Sequence, residues 1–188
     1  MGSENVESVM IDESGEPQNE IEVHELGFVK LLDVMGNDEE VENAARISYG
    51  EGTRKVSQTR NLIRYLMRHK HTSPFEMCEV KFHIKLPIFI MRQLVRHRTA
   101  NLNEYSGRYS IMSNEYYLPE ADYLQKQSAT NKQGREEVHP HTGKMHFEFN
   151  RVYDNAHIAY ENLLDEEIAR ELARVVLPVA NYTECIWK

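Results

Sequence analysis

The sequence has little cysteine and no long apolar run. Its 188 residues include only Cys78 and Cys185, too few for a disulfide framework, and each is expected to be a small buried residue. The longest strongly apolar run, residues 86–91, is far too short to span a bilayer. The N-terminus lacks the basic and apolar regions of a secretory signal. The composition therefore predicts a cytoplasmic protein without a membrane-spanning segment.

Three familiar ligand-binding patterns are also missing. No Gly-x-Gly-x-x-Gly sequence follows a strand pattern, and no Walker-type Gly-Lys-Ser/Thr sequence occurs. Close histidine pairs occur at His69/His71 and His139/His141, but no cysteine or acidic set completes a tetrahedral zinc site. We therefore expect no metal site, and any nucleotide cofactor would be held outside the Rossmann and P-loop modes.

An acidic N-terminal stretch precedes a single predicted domain. Residues 1–22 hold seven acidic residues and no Lys or Arg, together with scattered Gly, Ser and Pro. Such a composition cannot bury enough apolar surface to offset the entropy cost of ordering the chain. We expect a mobile acidic tail over residues 1–22 and one domain over residues 23–188, a length that supports a substantial core.

Helix and strand patterns alternate along the domain. Alternating apolar residues predict strands, and apolar residues at three- and four-residue spacing behind good caps predict helices. The predicted strands are 29–36, 76–86 and 181–188; the predicted helices are 37–46, a helix capped by Ser57, 87–97, 145–164 and 166–176; residues 125–142 are a predicted polar loop. This order favours an α/β (α+β) fold with a mixed sheet flanked by helices.

The chain is acidic overall but contains one basic island. The net charge is −8, whereas residues 81–109 hold six Lys and Arg residues and a single acid, Glu104. A local basic island in an acidic protein indicates a site for an anion rather than a general surface for polyanions. On a helix over 87–97, Arg92 and Arg96 would share a face. If the following segment is extended, Glu104, Ser106 and Arg108 would also share one.

The residue types in this island suit a phosphate group. The planar guanidinium fork of arginine matches phosphate oxygens, and histidine adds a hydrogen-bonding ring. The stretch could therefore hold a phosphorylated small molecule or a dinucleotide cofactor. Ser106 is interpreted as a ligand hydrogen-bonding residue; the alternative is a nucleophile with His97 as its base, which would need a positioned base and an oxyanion hole.

Two other interpretations of the island compete with a phosphate site. One is a solvated basic helix end, the common outcome for an isolated Arg-His-Arg sequence. The other is a module for single-stranded nucleic acid, because Tyr105 and Tyr109 lie among the cations and aromatic rings stack on bases. The net charge of −8 argues against a nucleic-acid partner, so we expect none.

At this point the motifs carry a family resemblance. Arg96-His97-Arg98, followed after seven intervening residues by Ser106, resembles the signature of the flavin-dependent thymidylate synthases, the ThyX family. Further matching motifs occur in order at residues 31–36, 45–48, 71–76, 103–110 and 173–178. The resemblance runs from about residue 28 to residue 187.

The resemblance implies a homotetramer with an α/β fold peculiar to the family. It implies FAD as cofactor, bound at subunit interfaces beside dUMP. The implied reaction converts dUMP to dTMP, with methylenetetrahydrofolate as the carbon donor and NADPH as the reductant through the flavin. No enzyme nucleophile attacks the uracil ring in this chemistry, which agrees with the interpretation of Ser106 as a binding residue.

The resemblance also assigns residues to the two ligands. The implied cofactor-binding residues are Ser48, His71, Ser73, Arg96, His97, Arg98 and Glu104. The implied dUMP-binding residues are Gln93, Leu94, Val95, Arg96, Glu104, Tyr105, Ser106, Gly107, Arg108 and, from another subunit, Arg174.

The family pattern extends beyond the strand that ends at Trp187 and Lys188. In the family, the following part supplies further FAD contacts and an arginine that stabilises the ionised N3 of uracil. We therefore expect this chain to be C-terminally incomplete, and we assign no residue as catalytic. The alternative to an active enzyme is a non-catalytic or split subunit that binds FAD and dUMP and needs the missing segment for turnover.

Overall fold

The computed structural model describes residues 19–47 and 59–188. The helices are α1 Asp38–Arg46, α2 Thr59–Arg68, α3 Ile88–Leu94, α4 Thr142–Asp165 and α5 Arg170–Ala173, with 3₁₀ turns at Ser73–Met77, Ala121–Tyr123 and Arg174–Val176. The strands are β1 Glu20–Val23, β2 Gly27–Met35, β3 Glu79–Pro87, β4 Leu102–Glu104, β5 Gln125–Gln127, β6 Arg135–Val138 and β7 Tyr182–Trp187. None of the helices in the described ranges has the length and apolar character needed to cross a bilayer.

A five-stranded sheet forms the centre of the fold, in the order β1-β2-β3-β7-β4. All four pairings between neighbouring strands are antiparallel. The predicted α+β class is confirmed, but the expected mixed sheet is wrong. That expectation rested on the alternation of helices and strands along the sequence. In the structure, α1 and α2 connect β2 to β3, and these two strands pair antiparallel.

The first strand lies partly inside the predicted acidic tail. Glu20 to Val23 pair with Lys30 to Gly27 of β2, and the Lys30 Nζ lies 3.2 Å from the Glu20 Oε2. The prediction that the tail extends to residue 22 is therefore wrong over residues 20–22. Their polar composition hid a short edge strand that β2 stabilises through backbone hydrogen bonds. Residues 1–18 of the predicted tail lie outside the described residues.

Caps and periodicity located two helices well. Asn37 caps α1, because its Oδ1 accepts hydrogen bonds from the backbone nitrogens of Glu39 and Glu40 at 2.8 and 3.1 Å. The long helix expected over 145–164 is confirmed as α4, three residues longer at its start and one at its end. The predicted cap Ser57 lies outside the described residues.

Two predictions for the second half of the chain are wrong. The polar loop expected over 125–142 contains a hairpin of β5 and β6, in which the Lys126 Nζ lies 2.6 Å from the Glu137 Oε1. Every residue of both strands is exposed, so no apolar alternation marked them. The helix expected over 166–176 is reduced to α5 and the 3₁₀ turn that follows it.

Two small apolar clusters stabilise the parts of the fold that carry the basic island. The first joins Leu86 of β3, Met91 of α3 and Cys185 of β7, so it lies between α3 and the sheet. The second joins Met112, Tyr160 and Ala173, and connects α4 and α5 with the chain that follows β4. Cys185 is buried as predicted, and burial, with a smaller contribution from the charge of Glu104, raises its thiol pKa to about 11. Cys78 is only half-buried.

Candidate functional site

The helix α3, which lies within the basic island, is shorter than predicted. It ends at Leu94, and the chain then tightens: the backbone nitrogens of Arg96 and His97 donate to the carbonyl oxygens of Gln93 and Leu94 at 3.1 and 3.0 Å. Arg96 therefore does not share a helix face with Arg92. Sequence periodicity could not locate this end because no glycine or proline follows it.

We call residues 93–98 the α3 end. Leu94 packs against the first apolar cluster and anchors the segment, whereas Gln93, Val95 and the following Arg-His-Arg triplet are exposed. Across the described part of the chain, the side chains of Arg96, His97 and Arg98 make no hydrogen bond or ion pair. Their donors are therefore available to a ligand without first breaking a protein contact.

Glu104 is held at the edge of the sheet. Strand β4 pairs with β7, where Glu104 lies opposite Cys185, and the Glu104 Oε1 accepts a hydrogen bond from the Thr183 Oγ1 at 3.0 Å. The residue is nevertheless exposed. Its carboxylate has one oxygen oriented by the protein and further acceptor capacity for a hydroxyl or amide of a ligand.

We call residues 105–112 the Ser106 turn. The carbonyl oxygen of Ser106 accepts hydrogen bonds from the backbone nitrogens of Tyr109 and Ser110 at 3.1 and 3.0 Å. The prediction that Glu104, Ser106 and Arg108 share one face of an extended segment is therefore wrong beyond Glu104. The chain reverses there, and the side chains no longer alternate as they do along a strand.

The Ser106 turn lies against Arg174 of the same chain. Gly107 is buried, and a Cβ built on it would lie 2.9 Å from the Met112 Sδ and 3.1 Å from the Arg174 Cδ. A side chain at position 107 would therefore require the Met112 and Arg174 side chains to move aside. Arg174 itself is exposed and makes no ion pair with any described residue. One chain thus brings together Ser106, Gly107, Arg108 and Arg174.

Helix α5 supplies two contacts to the Ser106 turn that sequence reasoning missed. The Arg108 Nε lies 2.8 Å from the Glu171 Oε2, in an ion pair that is half exposed on both sides. The Arg170 Nη1 donates to the carbonyl oxygen of Tyr109 at 2.5 Å. The sequence offered one hint of these contacts: the charged residues Arg170 and Glu171 come just before the motif at residues 173–178 that matches the family pattern.

The remaining predicted cofactor residues lie at a second place. His71 and Ser73 line a cavity of about 740 Å³ between α1, α2 and the first 3₁₀ turn. Its other lining residues are Ala44, Ala45, Arg46, Ile47, Leu62, Tyr65, Leu66, Lys70, Thr72, Pro74 and Met77. Ser48 lies outside the described residues. None of the described lining residues belongs to the α3 end or to the Ser106 turn, so one chain presents two separate groups of predicted site residues.

The histidine pairs form no metal centre in the described residues. No group of three or more His, Cys, Asp or Glu side chains within residues 19–47 and 59–188 is arranged to hold a metal ion. His69 and His71 follow the end of α2, where both rings pack near the Tyr65 ring, with centroid distances of 4.3 and 6.2 Å.

Exposed arginines without an ion pair among the described residues lie beside an antiparallel sheet edge, so this α+β protein has a candidate site for an anion. Comparison with known proteins identifies the family. The model of the Thy1 family, described as thymidylate synthase complementing protein, matches residues 30–188. The chain belongs to this family of flavin-dependent thymidylate synthases, as the sequence motifs indicated.

Individual relatives are similar over most of this chain. It is 51% identical over 175 residues to a flavin-dependent thymidylate synthase of Ehrlichia ruminantium (strain Gardel), covering 90% of this chain and 58% of that protein. It is also 51% identical over 168 residues to one from Wolbachia pipientis wMel, covering 86% of this chain and 58% of that protein. The chain therefore spans under two thirds of the length of these relatives.

A solved structure supports the fold. The crystal structure of the UMP/dUMP methylase PolB from Streptomyces cacaoi, bound with 5-Br dUMP, matches with a TM-score of 0.77 at 36% sequence identity. The match covers 86% of this chain and 72% of that chain.

Proposed function

We propose that this chain functions in a flavin-dependent thymidylate synthase that converts dUMP to dTMP. Methylenetetrahydrofolate would supply the carbon, and NADPH would supply reducing equivalents through FAD. Family membership supports the reaction class, and the dUMP analogue bound to the related PolB supports the substrate class. The observation that carries the proposal for this chain is the contact of Arg174 with Gly107, because it adds to the Ser106 turn a guanidinium that pairs with no acid in the described ranges.

The Ser106 turn suits the phosphate of dUMP. Arg174 presents a planar guanidinium fork that makes no ion pair with the described part of the chain, and such a fork matches phosphate oxygens well. Arg108 is paired with Glu171, but this exposed pair contributes little, so a phosphate dianion could replace the carboxylate at small cost. Ser106 would donate its hydroxyl. We propose that Glu104 accepts a hydrogen bond from the sugar or the base, since Thr183 already orients its carboxylate.

Arg174 was expected to reach dUMP from another subunit. In this fold Arg174 and Gly107 are neighbours in one chain, so we propose that both approach the nucleotide from the same subunit. The second group of dUMP residues, Gln93 to Arg96, would then belong to either the same or a neighbouring subunit of the proposed homotetramer. Light scattering of the purified protein would measure its molar mass and thereby test the proposed homotetramer.

The residues present also fit FAD. Arg96, His97 and Arg98 offer donors that no described residue engages, which is the donor set that a diphosphate needs. The cavity of about 740 Å³ near His71 and Ser73 is large enough for part of a dinucleotide. When bound, FAD would supply the reducing equivalents that turn the transferred methylene into a methyl group. The chain's own part is to hold the diphosphate and to orient dUMP.

The first test is the visible absorption spectrum of the purified chain after incubation with FAD and gel filtration. We expect retained flavin that NADPH bleaches, and dUMP binding measurable by calorimetry. Folded protein that retains no flavin and binds no dUMP would contradict the proposal. Binding of both ligands without dTMP formation would instead support the alternative of a non-catalytic or split subunit. The low cysteine content favours a cytoplasmic location for either form.

A further inference from the structure

One peptide group of the Ser106 turn is held from both of its ends by tyrosine hydroxyls. The carbonyl oxygen of Ile111 accepts a hydrogen bond from the Tyr105 hydroxyl at 2.9 Å. The backbone nitrogen of Met112, in the same peptide group, donates to the Tyr160 hydroxyl at 3.1 Å. Tyr105 belongs to the turn itself, whereas Tyr160 belongs to α4 and is 0% exposed. The turn is therefore tied to the most buried side chain of the long helix.

The Met112 side chain passes this restraint on to the binding residues. Met112 is 7% exposed and packs with Tyr160 and Ala173 in the second apolar cluster. Its Sδ also lies against Gly107, which in turn contacts Arg174. A displacement of the Met112 backbone therefore shifts the surface on which Gly107 and Arg174 meet. Densely packed side chains transmit such shifts because they leave little space to absorb them.

We propose that Tyr160 is a positioning residue for dUMP, acting through the Met112 backbone and without touching the nucleotide. The inference rests on the proposed dUMP site at the Ser106 turn. Tyr160 lies far from the basic island in the sequence and carries no motif signal. Its role follows from one buried hydrogen bond and from the packing between Met112, Gly107 and Arg174.

Replacement of Tyr160 by phenylalanine isolates this role. The ring is retained, so the apolar cluster keeps its volume, but the Met112 N–H loses its acceptor. A buried donor without a partner is costly, so the peptide group is expected to rotate or move towards water. That movement loosens the Ser106 turn, and the binding geometry for dUMP is then populated for only part of the time. The apparent dissociation constant rises by the inverse of that fraction.

The same helix offers a matched control. Tyr153 is also largely buried, and its hydroxyl donates to the carbonyl oxygen of Tyr117 at 3.0 Å. Tyr153→Phe therefore removes one hydrogen bond between a buried α4 tyrosine and a backbone group, as Tyr160→Phe does. Tyr117 lies outside the Ser106 turn, so a merely structural role predicts equal behaviour of the two variants.

The experiment compares the full chain with its Tyr160→Phe and Tyr153→Phe variants. Calorimetry measures the dissociation constant for dUMP, retained visible absorbance measures FAD, and thermal unfolding measures stability. We expect Tyr160→Phe to bind dUMP about tenfold more weakly, equivalent to about 1.4 kcal/mol, with FAD retention unchanged. Tyr153→Phe is expected to stay within twofold for dUMP, although both variants lose some stability. In a dTMP-forming assay, Tyr160→Phe should raise KM for dUMP while kcat stays within twofold.

The possible outcomes test the proposed function and the positioning role of Tyr160 separately. If the unaltered chain binds no dUMP, the proposed function itself fails at this site, and the role of Tyr160 fails with it. If the unaltered chain binds dUMP and Tyr160→Phe binds it equally well, the positioning role is overturned while the proposed function stands. Equal weakening by Tyr153→Phe would also overturn it.

A second variant covers the case in which Tyr160→Phe does not fold. Met112→Leu keeps an apolar side chain of similar volume but changes the group that lies against Gly107. We expect at least threefold weaker dUMP binding with FAD retained. Unchanged dUMP affinity in folded Met112→Leu would overturn the transmission through Met112.

Discussion

The two parts of the basic island are held in opposite ways. At the α3 end, the side chains of Arg96, His97 and Arg98 are exposed to solvent and have no protein partner among the described residues. In the Ser106 turn, backbone groups of residues 109, 111 and 112 each bond to a side chain. The side chains at the α3 end would become ordered only when a ligand binds. The backbone of the Ser106 turn is already ordered by the protein before a ligand binds. Preorganised groups lose less entropy on binding, so the turn should dominate the affinity for a small nucleotide.

The largest effect is expected from Arg174→Ala. Removal of the guanidinium beside Gly107 should raise the dissociation constant for dUMP about a hundredfold, or about 2.7 kcal/mol, because a charge-assisted phosphate contact is lost. Calorimetry with FAD present measures it. The control is Arg151→Ala, which removes an arginine paired with Glu148 on the exposed side of α4 and should leave affinity within twofold. If Arg174→Ala keeps the affinity of the unaltered chain for dUMP, the phosphate binds at a place other than the Ser106 turn.

Arg96→Ala tests the other part of the island. Loss of its exposed guanidinium should weaken FAD or dUMP binding by about 2 kcal/mol, or about thirtyfold. Titration of both ligands, with Arg151→Ala again as the control, measures the change. If neither ligand loses affinity, the α3 end is a solvated helix end and the site residues 93–98 are misassigned.

Gly107→Ala sharpens the comparison by disturbing only the close approach in the turn. The added Cβ would lie 2.9 Å from the Met112 Sδ and 3.1 Å from the Arg174 Cδ, so both side chains must shift. We expect about tenfold weaker dUMP binding, or about 1.4 kcal/mol, with FAD retained.

Gly143→Ala is the matched control for that substitution. Gly143 lies in the first turn of α4, and a Cβ there meets no atom of the described residues within 4 Å. Alanine should leave dUMP binding unchanged and stabilise the helix by up to about 1 kcal/mol. If Gly107→Ala behaves like Gly143→Ala in the dUMP titration, the turn tolerates the extra atom and the close approach is not needed for binding.

The smallest effect concerns acid stability beside the turn. The Lys85 Nζ bonds to the Glu115 Oε1 at 2.8 Å, and this bond, with a further one from Ser113, holds the pKa of Glu115 below its ordinary value of 4.5. A depressed carboxyl pKa adds stability above 4.5 that is lost as the pH falls through the folded-state pKa. Glu115→Gln should therefore lower the free energy of unfolding by about 0.5 kcal/mol at neutral pH.

That difference should vanish in acid. Unfolding curves of the unaltered chain and Glu115→Gln should converge once the pH lies below the folded-state pKa of Glu115. Glu148→Gln serves as the control, because its pair with Arg151 is about half exposed on both sides and contributes little at any pH. A stability difference that persists unchanged into acid would show that Glu115 acts through packing and not through its charge.

Local signals in the sequence predicted the elements with strong caps or long periodicity. Asn37 with three acids behind it located α1, and the apolar spacing of a long helix located α4. The α+β class followed from the order of these elements. The β5–β6 hairpin was missed because a two-stranded sheet exposed on both faces carries no apolar alternation.

The candidate site was predictable as a set of residues but not as an arrangement. The Arg-His-Arg triplet and Ser106 marked an anion site through charge and residue type. The family resemblance placed Arg174 at the dUMP site from another subunit. No local pattern indicated that it lies beside Gly107 of its own chain, since that contact joins distant parts of the chain through Met112 and the second apolar cluster. Tertiary packing of this kind has no local signature, and the same holds for Tyr160.

The peptide group between Ile111 and Met112 has a consequence for how the protein can be observed. An amide in an exposed loop normally exchanges its hydrogen with solvent within seconds, but the Met112 amide is bonded to a buried hydroxyl and covered by a nearly buried side chain. Its exchange then requires an opening of the Ser106 turn. The hydrogen-exchange rate of the Met112 amide therefore reports how often this turn opens, and it can be measured with or without a nucleotide.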